Sequence, residues 1–67
     1  MRNLNKSRTE IIYLIDEWIF NERNRAIVKR KLLDGVTFER LAEEYDISIQ
    51  QAKTIVYKCV EIISAHL

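Results

Sequence analysis

Proline is absent from this 67-residue chain, and glycine, cysteine, histidine and tryptophan occur once each. No apolar alternation flanked by turn residues is present, so no strand is predicted. A single cysteine, Cys59, cannot close an intrachain disulfide, which excludes a stapled secreted scaffold. It reads as a small buried apolar residue suited to a reducing interior. One histidine, His66, beside one thiol cannot assemble a zinc site at the usual spacing, so His66 reads as part of a frayed helix end. No run approaches the ~18 apolar residues of a membrane span. The basic opening, Met1 to Arg8, is followed by acids rather than a small-residue cleavage site, which does not read as a signal peptide; the expectation is a cytoplasmic protein. Asp16-Glu17 and Glu43-Glu44 are adjacent carboxylates, and neighbours on a helix diverge by about 100°. With no nucleophile–base pair and no metal set, neither an enzyme nor a cofactor is expected.

What is present is a chain that is 48% apolar and 31% charged, enough for one small globular domain. Below about 70–80 residues a lone core contributes roughly 3–5 kcal/mol. A buried active site with its own lid does not fit, and a bound partner or second copy is a natural source of extra stability. The net charge of +1 conceals segregation: residues 1–8 carry +3, 9–20 carry −3, 21–33 carry +4, 34–46 carry −4 and 47–67 carry +1. Solvated helix faces account for such blocks, but they also let a near-neutral chain present one basic face.

Four helices are predicted. Ser7 and Glu10 have capping-box spacing, and Ile11, Leu14, Ile15, Trp18 and Ile19 then recur at helical period, for a first helix over about 8–20. Trp18 lies on that stripe and reads as core rather than as a stacking platform for single strands. Asn21 is a plausible cap for a second helix that Asp34-Gly35 stops, glycine taking the left-handed conformation at low cost. With neither glycine nor proline near Asn21, the first two helices could also run together. Thr37 caps a short helix, Phe38 to Tyr45. Ser48, with Gln51 three residues on, caps a last helix from Ile49 to about Ala65.

Thr37 to Cys59 has helix-turn-helix spacing, with the unit itself at about 37–58. Ala42 stands where the two backbones approach, Leu41, Tyr45, Ile47, Ala52, Ile55 and Val56 can plug the angle, and Asp46 occupies the turn position that usually holds glycine. The stretch Leu32-Leu33-Asp34-Gly35-Val36-Thr37-Phe38-Glu39-Arg40-Leu41-Ala42-Glu43-Glu44-Tyr45-Asp46-Ile47-Ser48 resembles region 4 of the sigma-70 family. So does Arg23-Asn24-Arg25-Ala26-Ile27-Val28 before it. The resemblance, over about residues 21–63, extends to small sigma-like helix-turn-helix proteins of bacteria and phages.

That resemblance implies an all-α, four-helix helix-turn-helix domain over 8–67 that binds double-stranded DNA and regulates transcription. The major groove would be read by Ile49, Gln50, Gln51, Lys53 and Thr54, with Ala52 facing inward. Glutamine can pair with adenine, lysine can donate to guanine and apolar groups can meet the thymine methyl. Expected phosphate contacts are Thr37 and Ser48 at helix N-termini, with Arg40, Lys58, Arg25, Lys29, Arg30 and Lys31. A flexible basic arm over 1–7, with Arg2, Lys6 and the adjoining Arg8, could reach a groove or be a free tail. The last helix is apolar on two sides, so Val60, Ile62, Ile63 and Leu67, with Ile12, are expected in a homodimer interface. The alternative is a monomer whose first helix covers both stripes. A rival function is an adaptor for protein or structured RNA, associated with RNA polymerase or a ribonucleoprotein, since the acidic third helix repels phosphate.

Overall fold

Each helix begins where a side chain can satisfy its free N–H groups. In a computed structural model, which describes residues 7–66, the Ser7 hydroxyl accepts from the Glu10 N–H and the Glu10 carboxylate accepts from the Ser7 N–H, both at 3.2 Å. This opens α1, Arg8–Trp18. Residues 1–6 of the expected arm, and Leu67 of the expected interface, lie outside the described residues. Arg8 does not belong to an arm: it starts α1 and donates to the Leu33 carbonyl at 3.0 Å.

The first two helices are separate. The break comes two residues earlier than the predicted end at 20, because Ile19 turns extended and buries its side chain, leaving it 3% exposed. Arg25 Nε donates to the Ile19 carbonyl and secures the corner. Asn21 then caps α2, Glu22–Asp34, its side chain accepting from the Asn24 N–H at 3.0 Å. Gly35 ends α2 at φ 69°, ψ 24°; a Cβ there would meet nothing, so backbone conformation alone asks for glycine. Thr37 caps α3, Phe38–Tyr45. Asp46 takes the left-handed conformation at φ 53°, ψ 49°, and the Ile47 N–H donates to the Ala42 carbonyl at 3.0 Å. After that three-residue turn, Ser48 and Gln51 form the second capping box and α4 runs Ile49–Ser64, one residue short of expectation.

The described residues are thus all-α, with four helices and no strand. α4 packs against each of the other three. Its inward stripe, Ala52, Val56, Cys59 and Ile63, is buried, and neighbouring α2 residues divide it between two clusters. Val28 joins Ile11, Ile15, Ile19, Cys59 and Ile63, whereas Ile27 joins Leu41, Ala52 and Val56. Ile55 and Val60 are half-buried and touch both clusters, tying them together.

Two expectations about the apolar positions need correction. Ile63, assigned to a dimer interface, is 2% exposed within its own subunit, because α1 folds over this stripe of α4. Val60, packed against both clusters, and Ile12 are half-buried, and Ile62 is the exposed member of that set among the described residues. Trp18 is not core. It is 36% exposed and stacks on His66 at 3.6 Å between ring centroids, so His66 closes over the end of α1 instead of fraying.

Candidate nucleic-acid interface

The start of α4 is anchored inward and open outward. Ala52 and Val56 are buried against Ile27 and Leu41, which fixes the helix and directs Ile49, Gln50, Gln51 and Thr54 to solvent. Ala52 faces inward as expected. The five expected base-reading residues differ in what they still offer. Gln50 and Thr54 are exposed, and no hydrogen bond engages their side chains among the described residues. Ile49 is 43% exposed and offers an apolar contact. Gln51 has committed its side-chain oxygen to the Ser48 N–H at 3.0 Å, leaving its amide N–H groups to donate. A bidentate donor–acceptor pair with adenine would therefore fall to Gln50 while the capping box holds. Lys53 is half-buried and lies 5.9 Å from the centroid of the Phe38 ring.

The expected phosphate contacts split into two groups. Four cations of α2 are engaged within the molecule. Arg25 holds the Ile19 carbonyl. Lys29 pairs with Asp16 of α1 at 2.8 Å. Arg30 bridges Asp34 at 3.0 Å and Glu44 of α3. Lys31 donates to the Val36 carbonyl at 3.0 Å and sits over Phe38, 4.3 Å from the ring centroid. The basic run of α2 is thus the set of ties that fastens α1, α3 and the α2–α3 loop to α2, not a free patch. Arg40 bonds Glu44 at 3.0 Å through Nε while its side chain stays 62% exposed. Lys58 is exposed. Thr37 and Ser48 spend their hydroxyls on the Arg40 and Gln51 N–H groups at 3.1 and 3.0 Å, which leaves the helix N-termini rather than those side chains to face an anion.

No family model matches the chain, and neither a curated protein nor a solved structure is similar enough to match it.

One cation near the start of α4 was not among the residues assigned from sequence. Arg23, in the first turn of α2, shares a shallow depression with Ser48, Gln50, Gln51, Thr54 and Ile55. It is exposed, and no ion pair engages it among the described residues. Nothing in the sequence separates Arg23 from the other cations of α2, since only the crossing of α2 over α4 brings it to the Ser48 cap. The acidity of α3 is also partly offset. Hydrogen bonds from Arg30 first, and then from Arg40, hold the Glu44 carboxyl below the usual glutamate range. Arg30 is correspondingly raised by its bonds to Glu44 and Asp34 and stays charged. Cys59 lies on the opposite, buried side of α4, where burial pushes its thiol up and keeps it protonated.

Proposed function

We propose that the chain binds double-stranded DNA and regulates transcription. In this reading α3 and α4 form a helix-turn-helix unit of the sigma region 4 kind, and the first two turns of α4 enter the major groove. The observation that carries it is the outward face at the start of α4. Gln50 and Thr54 are exposed there, Ile49 is available for apolar contact, and Arg23 lies alongside as a cation with no ion pair among the described residues. The left-handed Asp46 and the buried Leu41, Ala52 and Val56, which plug the angle between α3 and α4, support the reading. Base reading falls to Gln50, Thr54, Ile49 and the donor side of Gln51. Phosphate contact falls to Arg23, the N-terminus of α4 and the free end of Arg40. Lys53 reaches a base only by leaving the Phe38 ring. The rival adaptor reading, for structured RNA or an RNA polymerase subunit, rests on Glu39, Glu43 and Asp46, which remain exposed on the α3 side.

Fluorescence anisotropy with a labelled random-sequence duplex across a salt series tests the proposal. Binding is expected at low salt and should fall steeply as salt rises. Arg23→Ala should weaken it on all sequences and reduce the log–log salt slope by about 1. On a selected sequence, Gln50→Ala should cost about 1–3 kcal/mol of base discrimination. Absence of binding at low salt refutes the proposal, and a Gln50→Ala protein of unchanged preference moves the reading face elsewhere.

A further inference from the structure

Beside the start of α4 lies a groove of about 660 Å³ between the α1–α2 corner and the middle of α4. Trp18, Phe20, Ile55, Cys59 and Ile62 supply its apolar lining, and Lys58 is its single charged residue. Phe20 is 78% exposed, the most exposed large apolar side chain among the described residues, and Ile62 beside it is 42% exposed. A contiguous apolar patch around a concavity marks an interaction surface. Two features select its occupant. First, a projecting ring and an apolar cleft stand side by side on one face, which lets two copies cover each other's groove about a two-fold axis. Second, exposed residues that flank the lining in sequence carry the charge opposite to Lys58. Glu17, Glu22 and Glu61 each adjoin a lining residue in sequence, are exposed, and make no ion pair among the described residues. Lys58 within the groove is their complement. Such a face attracts its own copy, whereas a duplex would meet acids and hydrocarbon there.

We infer that a second copy of this chain covers the groove, each Phe20 entering the cleft of the other copy and each Lys58 facing the other copy's acids. A standard interface takes about 800 Å² from each partner, under a fifth of the 4490 Å² surface. Phe20, Trp18 and Ile62 would form its apolar centre, with the flank of α4 around them. The interface replaces the Ile63 stripe, which α1 already covers.

Sedimentation equilibrium of the full chain without DNA tests the interface independently of any nucleic-acid role. A dimer is expected, and Phe20→Asp and Ile62→Asp should each raise its dissociation constant about thirtyfold or more. Tyr13→Asp, a 62% exposed control that does not line the groove, should leave the constant unchanged. Far-UV circular dichroism checks that each variant remains helical. A wild-type chain that stays monomeric at several hundred micromolar overturns the inference, as does a dimer that survives both groove substitutions. Thr54 lines both the groove and the depression beside Ser48, so the two faces meet at that residue, and Phe20→Asp should loosen the dimer without lowering DNA affinity for a single half-site. If no DNA binds at all, the sedimentation result still decides the interface.

Discussion

The two core clusters rest on the same central helix but are held in different ways. The cluster under α1 is made of β-branched bulk, with Ile11, Ile15 and Ile19 meeting Val28, Cys59 and Ile63. Side chains that grip backbone or cross between helices reinforce it, through Arg8, Arg25 and Lys29. The cluster under α3 is smaller: Leu41 is the one buried residue that α3 contributes. A helix of 8 residues has no independent stability in water, where isolated helices shorter than about 12–15 residues are marginal. The orientation of α3 therefore depends on Leu41, on the half-buried Phe38 and Tyr45 packed around it, on the Thr37 cap and on the Arg30–Glu44–Arg40 network. The comparison teaches that the half of the molecule nearest the proposed reading face has the fewer buried apolar residues, four against six.

The sharpest way to break this contrast is to empty each cluster. Ile15→Ala and Leu41→Ala both remove side chains that are fully buried in the wild type and should each cost about 2–5 kcal/mol. Ile55 and Val60 join the clusters, so urea unfolding followed by helical signal and by Trp18 fluorescence should give coincident transitions in both variants. Separate transitions for the two probes would show that the clusters fold independently.

A smaller effect compares the two left-handed positions that flank α3. Gly35→Ala should destabilise by about 1 kcal/mol, entirely through the backbone, since the added methyl meets no neighbour. Asp46→Gly should stabilise by about 0.5 kcal/mol, because it relieves the positive φ of 53° while loosening the unfolded chain. Thermal unfolding checks both signs, and a stabilising Gly35→Ala would contradict the assigned backbone angle.

The smallest effect probes the charge network under α3. Because Glu44 titrates lower in the folded chain, its contribution to stability is present above the ordinary glutamate value of about 4.3 and is lost as pH falls through the lowered folded value. The unfolding temperature should therefore fall on acidification below that range. Glu44→Gln should be less stable at neutral pH and should lose part of the acid-dependent fall. Identical acid slopes in the two proteins would remove Glu44 from the account.

Much of the fold was legible because its signals are local. Ser7, Asn21, Thr37 and Ser48 cap the helices as their side chains predict, and Gly35 and Asp46 end α2 and α3. The α1–α2 break, ambiguous without glycine or proline, is settled by Asn21 and by the burial of Ile19. The candidate site was legible in part. The outward opening of α4 follows from helical phase once Ala52 is inside. The fate of the cations did not follow: Arg25, Lys29, Arg30 and Lys31 form one basic run in sequence, yet each finds a different acceptor on another segment.

The chain alone therefore determined where its helices start and that Ala52 faces the core, since capping and the 3.6-residue period act within a few positions. Tertiary packing alone decided that α1 would bury Ile63, that Phe20 and Ile62 would remain outside, and that Arg23 rather than the denser cluster would stand free beside Ser48. Long side chains reach whichever acceptor the crossing of two helices brings near. That crossing is set by the fit of ridges from distant segments, which no local pattern encodes.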